Sequence, residues 1–166
     1  GAACVGLGDY EPVIDLYERL LAGQLQSGTE VADLRLWRAN ALKITGRRQE
    51  AIADYRASLA ARPDYGVAWF SLANLKTFKF EARDLVAMRK ALAGQLSESD
   101  ALHFHFALGK ALEDRGDAEN SFRHYAAGNQ IRRARLTPAQ VSATAHVDAT
   151  IATFDKALFD RYVRRV

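Results

Sequence analysis

The stretch EAIADYRASLAARP, residues 50–63, has the spacing of a helix that buries one face. Its larger apolar side chains recur three or four residues apart, at Ile52, Tyr55 and Leu59, so they share one side of an α-helix. Pro63 marks the end, because proline disfavours helical backbone in the residue before it. The stretch therefore predicts the second helix of a packed unit, closed by the proline.

The composition favours helix along the rest of the chain. Of the 166 residues, 49% are hydrophobic and 26% are charged, which is typical of a globular protein. Only 3 prolines and 11 glycines interrupt it. No apolar run approaches the roughly 18 residues that cross a bilayer, and there is no signal segment at the N-terminus. We expect an all-α, soluble chain.

Charge and cysteine content restrict the class of protein. The net charge of +3 is the difference between 23 basic and 20 acidic side chains, which is too balanced to indicate a polyanionic partner. The single cysteine, Cys4, cannot form an internal disulfide, so a reducing compartment is expected. The sequence therefore predicts a cytoplasmic protein.

The spacing of the opening stretch recurs. In each copy a glycine is followed by an apolar residue six positions later and an aromatic residue nine positions later, starting at Gly8, Gly46 and Gly116. These glycines are 38 and 70 residues apart, and a repeat of about 34 residues with short insertions accounts for both intervals.

The segments before these glycines align as partner helices. Two of them are RANALKITG (38–46) and HFALGKALEDRG (105–116), and VAWFSLANLKTF (67–78) follows the same register. A small residue, Ala39, Ala73 or Gly109, then occupies one equivalent position. A small residue there lets a second helix approach closely, so a bulky replacement should cost roughly 1–3 kcal/mol. We expect helix, tight turn and helix in each unit.

The middle unit departs from the pattern. Trp69, Leu72, Ala73 and Lys76 should form one helical face, but Phe80 stands where the turn glycine belongs. The following EARDLVAMRKAL is out of phase, so we expect a distorted second helix there.

The whole pattern resembles the tetratricopeptide repeat. The resemblance implies helix-turn-helix repeats stacked in a right-handed superhelical solenoid. It divides the chain into a half-repeat at 1–25, repeats at about 30–63, 64–96 and 98–136, and a C-terminal capping helix and tail at 137–166.

Capping motifs support two of these boundaries. SESD (97–100) should open the first helix of the last repeat, and TPAQ (137–140) forms a capping box that should open the final helix, through about Asp160. The N-terminus holds only the end of a first helix, so we expect a fragment whose parent continues upstream.

A narrower resemblance concerns SLANLKTF (71–78) and HYAAGN (124–129), which the packing pattern does not require. Both are similar to the N-terminal repeat region of bacterial proteins that join tetratricopeptide repeats to a sulfotransferase domain. In that family the catalytic domain follows the repeats and opens with a glycine-rich loop. No such loop precedes Val166, so the resemblance implies no catalytic residue within this chain.

A direct search for chemistry gives the same result. GLGD (6–9) lacks the rest of a phosphate-binding loop. His103 and His105 lie two apart and should point to different sides of a helix, unlike a metal-binding pair, and His124 has no spaced partner. Asp114 and its neighbour Glu113 look solvated. We expect no catalytic residue, metal site or cofactor.

A groove is the strongest binding candidate. Asn40, Asn74 and Lys110 occupy equivalent positions, where the amides could hold an extended peptide and the lysine a carboxylate. The alternative is that the asparagines cap or bridge neighbouring helices. The candidate groove residues are Asn40, Lys43, Asn74, Thr77, Phe78 and Lys110.

A basic patch at Arg132, Arg133 and Arg135 is the second candidate surface. Cations near a helix C-terminus complement its dipole, which is the structural interpretation. The functional one is docking to an acidic partner or to a downstream domain. RNA binding is not favoured, because no interleaved aromatic residues form a stacking platform.

Two functions follow. The first is a non-catalytic scaffold that binds a peptide or protein through the concave groove. The alternative is the regulatory or substrate-recruiting N-terminal part of a larger sulfotransferase. Neither requires a membrane or a nucleic acid.

Overall fold

The structure is a computed structural model that describes residues 10–23, 27–136 and 143–153. These residues form helices and connections, with no strand among them, so the all-α prediction is confirmed. The helices are α1 (Glu11–Ala22), α2 (Gly28–Ile44), α3 (Arg48–Ala61), α4 (Gly66–Ala73), α5 (Ala82–Leu92), α6 (Glu98–Glu113), α7 (Ala118–Ala134) and α8 (Ala143–Thr153).

The chain divides into two compact units, Gly1–Asn129 and Gln130–Val166, with the boundary inside α7. In the first unit α2 packs on α1 and α3, α4 on α3 and α6, and α5 on α6. The continuous buried core of the described chain runs from Ile14 to Leu112. The predicted half-repeat at 1–25 and cap at 137–166 extend beyond the described residues.

The α2–α3 and α6–α7 hairpins turn in the same way. Gly46 and Gly116 have φ of +80° and +78°, a left-handed conformation that glycine adopts without strain. The amide after each glycine donates to a carbonyl five residues back, Arg47 to Leu42 at 2.9 Å and Asp117 to Leu112 at 3.0 Å. This is the Schellman helix end, so both predicted turn glycines are confirmed. Gly8 lies outside the described residues.

Small residues set the close approach of the helices. A Cβ added at Gly109 would lie 2.7 Å from the ring of Tyr125, and the Ser121 hydroxyl donates to the Gly109 carbonyl at 2.8 Å. Ala39, at the equivalent position of the first hairpin, is fully buried. The predicted role of small residues in packing is confirmed at these positions.

The middle unit differs from the expectation. Helix α4 ends at Ala73, so Lys76 lies beyond it in a turn, and the predicted face ending on Lys76 is wrong at its last member. Leu75 and Phe80 are both 7% exposed, so they anchor the connection in the core. The irregular part of the middle unit is therefore the end of its first helix, α4. Burial of Leu75 and Phe80 stabilises the connection more than a longer α4 would.

The second helix of that unit is continuous. Glu81 caps α5, and its backbone amide donates to the Asp84 carboxylate at 2.9 Å, forming a capping box. This helix start needs no turn glycine, so the expected distortion of α5 is not found. The predicted start of α6 is confirmed, since Ser97 accepts from the Asp100 amide at 3.0 Å. The TPAQ motif lies outside the described residues.

No helix in the described ranges is both long and apolar enough to cross a bilayer.

Candidate functional site

A cleft of about 400 Å3 lies along α4 and α6 and is bordered by α7. Its walls combine three aromatic rings with polar side chains at the rim. The lining residues are Phe70, Ala73, Asn74, Lys76, Phe106, Lys110 and Tyr125.

The aromatic wall is a chain of ring contacts. The Phe70 and Phe106 ring centroids are 6.0 Å apart, and those of Phe106 and Tyr125 are 6.2 Å apart, both tilted. Tilted aromatic pairs at this distance contribute about 0.5–1.5 kcal/mol beyond their area. Because each ring comes from a different helix, the wall is fixed by the packing of α4, α6 and α7.

The phenol of Tyr125 faces the rim. Its hydroxyl donates to the Glu113 carboxylate at 2.9 Å. Burial and this carboxylate both raise the pKa of Tyr125 above its ordinary value, so the phenol stays protonated and neutral at physiological pH.

The two lysines of the cleft differ in what they contact. Lys110 pairs with Asp114, which also pairs with Lys79. Lys76 is exposed and makes no ion pair within the described chain. A ligand anion would therefore meet Lys76 without first displacing a carboxylate.

Asp114 is not the solvated surface group that the sequence suggested. Its side chain is 10% exposed. Burial opposes its ionisation, but the two lysine ammonium groups outweigh burial and hold the pKa of Asp114 below its ordinary value. This pairing could not be predicted from the sequence, because Lys79 comes from the irregular connection after α4.

Asn74 and Lys110 are the two predicted groove residues that this cleft brings together. Asn74 is the C-cap of α4 and is exposed, so its amide is accessible to a ligand. The shortened α4 places it at the helix end, and its equivalence to Asn40 within a helix is not observed.

Asn40 lies in a separate, smaller pocket of about 190 Å3 beside Tyr17 and Trp37. Its side-chain oxygen accepts from the Tyr55 hydroxyl at 2.7 Å, which links α2 to α3. Burial raises the pKa of the fully buried Tyr55 to about 12, although a hydrogen bond from Ser71 opposes the shift. Asn40 therefore bridges two neighbouring helices, which was the alternative to a role in peptide binding.

Lys43 and Thr77 are exposed and do not line the 400 Å3 cleft. Phe78 is half-buried, with its ring centroid 5.0 Å from that of Phe80 in an edge-to-face contact, and the Arg56 guanidinium lies 5.3 Å from its centroid. These contacts give Phe78 a packing role.

Arg132 and Arg133 lie in the last turn of α7, and Arg135 follows that helix. All three are exposed. They belong to the second unit, whereas the cleft is formed within the first.

Phe70, Lys76, Phe106 and Tyr125 were not predicted as cleft residues, because the repeat pattern assigned Tyr125 to helix packing and Lys76 to the end of a packed face and gave Phe70 and Phe106 no role. One signal was present at Phe70. It follows Trp69 directly, and neighbouring side chains on a helix point about 100° apart, so the two large rings point in different directions. The second aromatic residue of such a pair is a candidate for the binding face.

No group of three His, Cys, Asp or Glu side chains in the described ranges is placed to hold a metal ion. No known protein-family model matches the chain. No curated protein matches it either. The geometry of the cleft is therefore the basis for assigning a function.

Proposed function

We propose that this chain is a non-catalytic interaction scaffold that binds a peptide segment in the cleft along α4 and α6. The observation that carries the proposal is an aromatic wall beside two exposed polar groups, the Asn74 amide and the Lys76 ammonium group, which makes no ion pair with any described residue. Apolar walls with a few placed polar groups are the usual composition of ligand sites.

The chemistry of the cleft indicates what kind of segment would fit. The rings of Phe70 and Phe106 offer contact area to one or two apolar side chains. The Asn74 amide can both donate to and accept from a peptide backbone, and Lys76 can pair with a carboxylate. We therefore infer a short segment that carries apolar side chains next to an acidic group.

The proposed scaffold is of the tetratricopeptide type, with hairpins stacked in a right-handed solenoid. Support comes from the equivalence of the α2–α3 and α6–α7 hairpins, whose turn glycines, small residues and tyrosines are all 70 residues apart. A cytoplasmic location remains a prediction from Cys4. A place ahead of a sulfotransferase domain is implied by the sequence resemblance alone.

The test is to select peptides from a phage-displayed random 12-residue library on the immobilised chain. Affinity for the strongest selected peptide is then measured by fluorescence anisotropy. The double variant Asn74→Ala/Lys76→Ala should weaken binding by about tenfold or more, the equivalent of one charge-assisted hydrogen bond.

The matched control is Asn129→Ala/Lys90→Ala, which removes the same two groups from exposed positions outside the cleft. It should leave the affinity unchanged. Equal affinity of the cleft variant and the control would contradict the proposal, as would a library that yields no peptide above a bare surface.

A further inference from the structure

Helices α6 and α7 face each other through two histidines. The Nδ1 atoms of His105 and His124 are 3.0 Å apart, their ring centroids are 5.2 Å apart, and both residues are half-buried. A hydrogen bond at this distance needs one nitrogen to donate and the other to accept. When both rings are protonated, two N–H groups face each other and the contact becomes repulsive.

The two histidines are 19 positions apart and lie on either side of a turn, so the sequence alone does not indicate that their rings meet. The equivalent positions of the first hairpin, 70 residues earlier, hold Arg35 and Asp54. There the guanidinium donates to the carboxylate at 2.7 Å, and the Asp54 side chain is only 5% exposed. The same place in the fold thus holds an ion pair in one hairpin and two imidazoles in the other.

Among the residues that the structure describes, no carboxylate is seen to interact with either ring and balance an added proton. Helix α4, which packs on α6, has no ionisable side chain, and on α5 the charged group that faces His124 is Arg89. On α7 the neighbouring Arg123 pairs with Glu119, and on α6 His103 contacts the Ser99 carbonyl. The positions one turn away are uncharged: Ala101, Leu102, Leu108, Gly109, Asn120, Ser121, Ala127 and Gly128.

We propose that the His105–His124 pair is an acid-sensitive clasp that holds α6 against α7 at neutral pH and opens when both rings are protonated. Phe106 and Tyr125, the next residues in sequence, are walls of the cleft, so opening the clasp would loosen that wall. The clasp does not depend on the proposed binding function. Its effect on binding rests on that function.

The direction of the pH dependence follows from the environment. Burial lowers the pKa of both histidines, and for His124 the positive charges of His105 and Arg89 lower it further. The unfolded chain therefore takes up protons first, near the ordinary value of about 6.5. The stabilising contribution is complete above that pH and is lost as the pH falls through the lower folded-state values.

The experiment exchanges the clasp for the ion pair of the first hairpin, in the variant His105→Arg/His124→Asp. Urea unfolding of the full chain is measured between pH 7.5 and 5. As the pH falls, the unfolding equilibrium constant of the native chain should rise more steeply than that of the variant, by up to about tenfold per pH unit for each histidine. His103, His146 and the native carboxyl groups occur in both chains and do not contribute to the difference.

Parallel pH profiles of the two chains would overturn the proposal. If the exchange variant does not fold, His124→Gln serves instead, and it should remove about half of the difference because one titrating ring is lost. An unchanged slope in that variant would also overturn it.

Carbon-13 spectra of the aromatic side chains give a second readout that needs no ligand. The ring signals of His105 and His124 should titrate below about 6.5, and those of Phe106 and Tyr125 should shift with them. Histidine rings that titrate at or above 6.5 would overturn the clasp. A peptide that fails to bind would contradict only the proposed function.

Discussion

At the scale of single residues, the two asparagines that looked equivalent in sequence have different roles. Asn40 satisfies a buried hydroxyl between two helices, whereas Asn74 ends a helix at the rim of the cleft. The same amide therefore contributes to stability at one position and to the proposed binding at the other.

Replacing Asn40 with alanine should lower the free energy of unfolding by about 1–3 kcal/mol, because it removes the acceptor from the buried Tyr55 hydroxyl. The loss of unfolding free energy should lie toward the lower end of this range, since Ser71 still contacts the Tyr55 hydroxyl. Urea denaturation measures the change.

The control for Asn40 is Asn74→Ala, which removes an exposed amide and should change stability by less than about 0.5 kcal/mol. Adding Tyr55→Phe to the Asn40 variant should cost little, because the hydroxyl has already lost this partner. Equal stability of the Asn40 and Asn74 variants would show that the bridge is not significant.

At the scale of helices, ion pairs join elements that are distant in sequence. The Arg56 guanidinium on α3 donates to both carboxylate oxygens of Asp84 on α5, at 2.5 and 2.7 Å. Asp84 also accepts from the Glu81 amide that begins α5. One carboxylate thus docks α5 and caps it.

The variant Asp84→Asn should therefore lower the free energy of unfolding by roughly 2 kcal/mol at pH 7. This is below the value for a fully buried pair, because the Arg56 side chain is 30% exposed and water can solvate it. Chemical denaturation of both chains tests it. The exposed pair of Arg123 and Glu119 is the matched control, and Glu119→Gln should have little measurable effect.

The pH dependence of that pair differs from that of the histidines. Burial opposes ionisation of Asp84, but Arg56 and the Glu81 amide outweigh it, so the pKa of Asp84 is lowered. Its contribution is present above the unfolded value of about 4 and is lost only below it. A stability loss of the Asp84 variant that disappears between pH 7 and 5 would contradict this assignment.

Helix hairpins were predictable from the sequence, whereas the cleft was largely not. The left-handed glycines at 46 and 116 leave a local signal, since few other residues adopt that conformation. The end of α4 at Ala73 depends on burial of Leu75 and Phe80, a tertiary effect with no local signal. The cleft follows from that helix end, so Asn74 was identified for its spacing and Lys76 was missed.

At the scale of the whole molecule, the buried core of the described chain lies in the first unit. The side chains described on α8, residues 147–153, are exposed, including Val147 at 52% and Ile151 at 65%. The sequence predicts that residues 137–166 cap the proposed repeats, and truncation tests that prediction.

We expect a chain shortened to end at Leu136 to retain the helical circular dichroism of the first unit. The reason is that the shortened chain retains every residue of the described core. Thermal and urea unfolding of both chains measure the difference in stability. A loss of several kcal/mol would instead establish 137–166 as a stabilising cap.

The pattern of helix contacts in the first unit has a kinetic consequence. Each helix packs on one that is adjacent in the chain or next but one, so few contacts require the closure of a long loop. Proteins with such low contact order fold in microseconds to milliseconds, because little chain entropy is lost before the first contacts form. The first unit should therefore recover quickly after local opening, and acid release of the clasp should be rapidly reversible.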